Sequence, residues 1–195
     1  MLDLTTLNGL PMRYVHSGFT LVELMVAAAA SLILTSIAFA SLLTFQQMSQ
    51  KQDEKAAQKA ELQRALRFIA SDIQEGKSVE RTAPALSGYR RLFKINRSDG
   101  STIGYYSTSR GSRPWSGPKI IYRRDSKKDI SYALIDQISD KKPSSDCPGT
   151  GFSNLGVSLA IEGSKVTVCL VGSLSNSNEV LVESIQVTSR ARPGS

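Results

Sequence analysis

The side chains that usually carry catalysis are scarce in this chain and poorly spaced. A Ser-His-Asp triad, a Cys-His dyad or an imidazole-ligated zinc needs a histidine in the right place, and the only histidine of the 195 residues is His16, close to the N-terminus. Cys147 and Cys169 are too few for a zinc cage and are not spaced as CxxC. No phosphate-binding loop occurs, and Gly149, Gly151 and Gly156 do not fit GxGxxG. These residues point away from an enzyme and call for no cofactor or metal.

Charge, in contrast, is arranged unusually in two places. Residues 1–75 carry 6 basic and 7 acidic side chains, residues 76–142 carry 15 and 6, and residues 143–195 carry 3 and 4, so the net charge of +7 comes from the middle segment. There Arg90, Arg91, Lys94, Arg97, Arg110, Arg113, Lys119, Arg123, Arg124, Lys127 and Lys128 interleave with Tyr89, Phe93, Tyr105, Tyr106, Trp115 and Tyr122. Cations can neutralise phosphates and aromatic faces can stack bases, so Arg110, Arg113, Trp115, Lys119, Arg123 and Arg124 form a candidate patch for an anionic ligand such as DNA or acidic glycan. The bland alternative is a solvated strand face whose aromatics belong to a core.

The second place is Glu23. Phe19 to Phe45 is 27 residues with 20 apolar, and Glu23 is its one charge; Leu24 to Phe45 is 22 residues without any. About 20 such residues cross a bilayer core of roughly 30 Å, so residues 19–45 are a transmembrane helix candidate. A secretory signal peptide places its apolar core before the cleavage site and loses it. Here the order is reversed: 18 residues ending in Ser17-Gly18 precede the apolar run. A cut after Gly18 would keep the membrane helix and create a new N-terminus at Phe19.

Gly18-Phe19-Thr20-Leu21-Val22-Glu23-Leu24, followed directly by an apolar helix, resembles the processing site of type IV prepilins and of type II secretion pseudopilins. The resemblance implies that prepilin peptidase, a membrane aspartic peptidase, removes a leader of residues 1–18 and N-methylates Phe19. It implies a single-pass protein of the bacterial inner membrane with its head outside the cytoplasm. Such a protein then joins other pilins or pseudopilins, through an inner-membrane assembly platform, in a pilus or pseudopilus. Leu62 to Ile73 is similar to the region of minor pilins and J-type pseudopilins where Arg and Asp punctuate an apolar helix, and Ala40 stands where major pilins often have Pro. Both features favour a minor, J/W-like pilin that initiates, caps or decorates a filament used in motility, adhesion or DNA uptake. A pseudopilin shares the same chemistry in a different machine.

An acid inside an apolar helix costs about 2.5–3.5 kcal/mol at the bilayer centre, less near its end. Glu23 can complement the positive helix N-terminus, or pair with the amine of its own Phe19 four residues earlier. The resemblance implies another role, in which Glu23 meets the Phe19 ammonium of a neighbouring subunit and sets the register of assembly. Before cleavage that nitrogen is an uncharged amide.

The elements around these residues follow from periodicity. No Gly or Pro interrupts the 57 residues from Phe19 to Glu75, which predicts one helix over 19–75, roughly 85 Å long. Its second half is amphipathic: Leu62, Leu66, Ile69 and Ile73 form a stripe with Ala65 beside it, Lys59, Glu61, Arg64 and Arg67 face elsewhere, and Gly76 is a C-cap stop. Strands are expected at 91–95, 102–107, 119–123, 130–135, 155–161, 166–171 and 180–188, with hairpin signals at Ser98-Asp99-Gly100 and Glu162-Gly163-Ser164. Residues 139–154 read as a loop. The fold class is therefore α+β, a long helix packed on an antiparallel sheet in a head of residues 76–195, as in pilins. With the head outside the cytoplasm, Cys147 and Cys169 are expected to form a disulfide; the alternative is two unpaired thiols.

Overall fold

Good helix formers without a breaker produce one long element, α1, Leu21–Glu75. In the computed structural model, the residues described are 18–109, 115, 117–141, 147, 150–152, 155–174 and 179–189. Contacts divide the chain after Ser49 into two units.

The first unit is the apolar half of α1, long and apolar enough to cross a membrane by length and composition. Its side chains, Leu24, Met25, Leu34, Phe39 and Phe45 among them, are exposed. Hydroxyls in such a segment need partners, since lipid offers none. Ser31, Thr35, Ser36, Ser41 and Thr44 all donate to carbonyls of the preceding turn, at 2.7–3.0 Å for their i−4 bonds. Every hydroxyl between Leu24 and Phe45 is thus satisfied within the helix.

The second unit begins at Gln50. Its helical part buries Leu62, Ala65, Leu66, Ile69 and Ile73 on the expected stripe, while Lys59, Glu61, Arg64 and Arg67 are exposed. Fully burying an Ile or Leu contributes about 1.5–3 kcal/mol, so this face is the dominant attachment of helix to sheet. Among the described residues the sheet that packs on it has nine antiparallel strands: β1 Ser78–Glu80, β2 Arg90–Asn96, β3 Thr102–Ser109, β4 Lys119–Asp125, β5 Ile130–Ile138, β6 Thr150–Phe152, β7 Val157–Glu162, β8 Lys165–Ser173 and β9 Val180–Thr188. β1 to β5 run as a meander, and β8 lies between β7 and β9. Ile138↔Gly172 joins the two groups. The architecture is the expected α+β class, a long N-terminal helix followed by an antiparallel sheet.

Three local expectations need correction. Thr150–Phe152 pairs with β7, so the segment read as a loop over 139–154 contains a strand too short for periodicity to register. β1 was likewise not anticipated; Ser78 to Glu80 owe their extended backbone to pairing with Lys94 to Asn96. Gly76 does follow the helix, but without the left-handed φ of a glycine cap: a side chain there would collide with the Ile95 methyl. The hairpin glycines do adopt that conformation, with φ of 81° at Gly100 and 60° at Gly163.

Candidate functional site

At the start of α1, Thr20 and Glu23 bond reciprocally. The Thr20 amide and hydroxyl both donate to Glu23 Oε2, at 3.1 and 3.2 Å, and the Glu23 amide donates to Thr20 Oγ1 at 3.3 Å. This is a capping box, with Thr20 as the N-cap and Glu23 three residues on. It answers two helix-start donors that have no intrahelical partner and places a carboxylate at the positive end of the dipole. Glu23 Oε1 takes no hydrogen bond among the described residues. The signal was in the sequence, because Thr20-Leu21-Val22-Glu23 before an apolar run is the S/T-x-x-E pattern. Beside it Phe19 is 85% exposed and Gly18 has open space around it.

The chain then matches a known profile over residues 13–39. The profile is that of the prokaryotic N-terminal methylation motif, to which these residues are similar. The motif spans the capping box and the first turns of α1, and its residues before Gly18 lie outside the described part. No curated protein and no solved structure matches the chain significantly.

Downstream of the methylation motif, the second charge cluster fastens helix to sheet. Asp72 sits on the buried stripe, one residue before Ile73, and receives Arg123 of β4 in a bidentate pair: Nε to Oδ2 at 2.6 Å and Nη2 to Oδ1 at 2.9 Å. The Tyr105 hydroxyl of β3 donates to Oδ2 at 2.5 Å. Asp72 and Arg123 are only 5% and 6% exposed. Phe68 and Tyr132 flank the guanidinium, each ring centroid 5.4 Å from it. Arg97 extends the cluster to Asp125 at 3.3 Å, Glu75 at 3.6 Å and Asp72 at 3.8 Å. Burial and the Asp72 charge push the Tyr105 phenol well above its ordinary pKa. Burial is the largest single influence on Arg123 and opposes its charge, but the bond to Asp72 and the Asp72 charge together outweigh it and the guanidinium pKa is raised.

This cluster takes in one residue of the expected anionic-ligand patch, Arg123. Arg123 is not available to a ligand, since it lies under the helix bound to Asp72. Arg124 is half-buried and bonded to Asp129 at 2.5 Å, and Lys119 donates to Ser109 at 2.9 Å. Trp115 is half-buried, and Arg110 and Arg113 lie outside the described residues. Elsewhere in the basic segment Lys94 pairs with Glu80 and Lys127 with Asp99. Three of its six aromatics are buried: Phe93 stacks on Tyr105 at 4.6 Å, and Tyr106 is 3% exposed, while Tyr89, Trp115 and Tyr122 are half-buried.

Cys147 and Cys169 are joined as a disulfide, with Cα atoms 5.7 Å apart. The bridge packs with Val171 and Val182 on the sheet face opposite the helix. Val166, Val168 and Leu170 face the helix side, and on the other side of β8 Cys169 and Val171 are buried with the bridge. Among the described residues no group of His, Cys, Asp and Glu is placed to hold a metal.

Proposed function

We propose that the chain is a minor pilin, a structural subunit that prepilin peptidase cleaves after Gly18 and N-methylates at Phe19. It is held in the inner membrane by residues 19–45 until it enters a pilus, with its head outside the cytoplasm. The observation that carries this reading is the methylation motif running directly into an apolar helix whose first half has one acid, Glu23, five residues after Gly18.

The capping box gives the reading a mechanism. All of its bonds lie within residues 20–23, so removal of residues 1–18 leaves them in place. Cleavage adds the one missing group, an ammonium on Phe19. Both Thr20 bonds go to Oε2, which leaves Oε1 to accept that ammonium from a neighbouring subunit. In a water-poor filament core an unpaired charge is costly, so the pair fixes register. The Asp72–Arg123 lock keeps the head attached to its helix while the subunit is drawn from the membrane.

N-terminal sequencing and mass measurement of the protein from membranes and from sheared filaments tests the proposal. Phe19 at the terminus, one methyl heavier, is expected in both fractions. Recovery with Met1 attached, and absence from every filament, would refute it. Glu23→Gln should still be cleaved and inserted but enter filaments poorly; normal incorporation would remove the pairing role.

A further inference from the structure

On the sheet face turned away from α1 there is a small cleft. The pleat sends Ile103, Tyr105, Ile121 and Arg123 toward the helix, so Gly104, Tyr106 and Arg124, at the alternate positions of β3 and β4, point the other way. The loop between β1 and β2 lies against this outer face: Tyr89 packs edge-on against Tyr106 and Tyr122, and Thr108 donates to the Gly88 carbonyl at 3.3 Å. Pro84 and Ala85 line the cleft from that loop, and the β4–β5 turn adds Ser126 and Asp129. Its volume of about 250 Å³ is just under the roughly 300–1,000 Å³ usual for small-molecule sites, so it has room for one ring.

The polar groups of the cleft are not all spent within the protein. Tyr106 is only 3% exposed, yet its hydroxyl makes no hydrogen bond among the described residues. A hydroxyl buried without a partner costs free energy, which a ligand in the cleft recovers. Gly104 makes the room, because a side chain there would come within 2.6 Å of the Tyr106 ring. Arg124 gives Nη2 to Asp129 Oδ1 at 2.5 Å, which leaves Asp129 Oδ2 to accept and the rest of the guanidinium to donate. Ser126 Oγ accepts the Thr102 amide at 2.8 Å and keeps its own proton for donation.

We propose that this cleft binds a neutral, hydroxyl-rich ring, a single hexose unit of a glycan. Arg124 and Asp129 offset each other's charge, so the cleft favours neither an anion nor a cation. Side by side they present a donor and an acceptor, which neighbouring ring hydroxyls match because each hydroxyl both donates and accepts. Pro84, Ala85 and Gly104 offer an apolar surface to the C–H face of the ring. A planar base has nothing to stack on, since Tyr106 shows almost no surface. Nor can a peptide strand be added, because β3 and β4 pair with each other beneath the cleft. The inference rests on the head alone and holds whether or not Phe19 is processed.

The test uses the full chain, disulfide intact, in micelles of a detergent without a sugar headgroup. Methyl glycosides of glucose, galactose, mannose and N-acetylglucosamine are titrated by saturation-transfer NMR, with inorganic phosphate alongside. At least one glycoside should bind saturably at millimolar concentration, and phosphate should not. Tyr106→Phe removes only the free hydroxyl and should raise that Kd about fivefold. Asp129→Asn suits a φ of 49°, which Asn tolerates as well as Asp, and should raise it about tenfold by removing the charged acceptor. An anion would instead bind more tightly once Arg124 is released. Asp129 is exposed in a turn, so its variant folds whatever Tyr106→Phe does, and near-ultraviolet circular dichroism checks both. Glu61→Gln, on the exposed face of α1, should leave the Kd unchanged. Binding of no glycoside, glycoside binding indifferent to either cleft substitution, or phosphate binding that Asp129→Asn strengthens would overturn the proposal.

Discussion

Asp72→Asn keeps the shape of the side chain and removes its charge, leaving Arg123 buried without an acid on its face of the helix. The two charged groups are more than nine-tenths buried and share two bonds of 2.6 and 2.9 Å. Breaking such a pair from one side costs about 3–5 kcal/mol, because the remaining charge stays desolvated. In a head of this size that is a fall of roughly 10–20 °C in Tm. The Arg64–Glu61 pair is a control: its side chains are 75% and 46% exposed, and Glu61→Gln should cost about 0.5 kcal/mol or less. The decisive variant is the double one, Asp72→Leu with Arg123→Met, which removes both charges and should recover most of the loss. Urea unfolding of the full chain in detergent, followed by near-ultraviolet circular dichroism and analysed as a double-mutant cycle, measures the coupling. A loss under about 1 kcal/mol for Asp72→Asn, or additive effects of the two substitutions, would refute the view that this pair locks helix to sheet.

The hydroxyl of Ser107 is buried without a partner among the described residues, so Ser107→Ala should be neutral or stabilise by up to about 1 kcal/mol in the same assay. Gly117→Ala, whose new methyl would run into the Gln137 backbone, should cost about 2 kcal/mol or more in that assay. Reducing the Cys147–Cys169 bridge, which spans 22 residues of sequence, should lower stability by about 3 kcal/mol, read as a shift of the urea midpoint with and without reductant. Because burial and Asp72 raise the folded pKa of Tyr105, its contribution is fully present below the unfolded value of about 10 and is lost as pH rises toward the folded one. Stability should therefore hold to about pH 9 and fall above it, and Tyr105→Phe should flatten that alkaline decline.

Long, strongly periodic features were legible. An uninterrupted run of helix formers carries its own backbone bonds, so α1 and its buried stripe could be read from spacing, and Gly100 and Gly163 announced their hairpins because few residues tolerate a positive φ. The short strands β1 and β6 were not legible, since three residues carry no measurable period and exist only through their partners. The capping box is visible in the sequence as Thr20-Leu21-Val22-Glu23, because its partners are only three residues apart.

By itself the sequence determined what depends on neighbours along the chain: the methylation motif, an apolar helix long enough to span a bilayer, its amphipathic continuation and the lack of histidine beyond His16. Tertiary structure alone decided which charges are free. Arg123 and Arg124 are adjacent in sequence, yet the pleat of β4 sends one under the helix to Asp72, 51 residues away, and the other to Asp129 near the surface. A strand turns successive side chains to opposite faces, but which face meets the core is fixed only when the sheet closes on its helix.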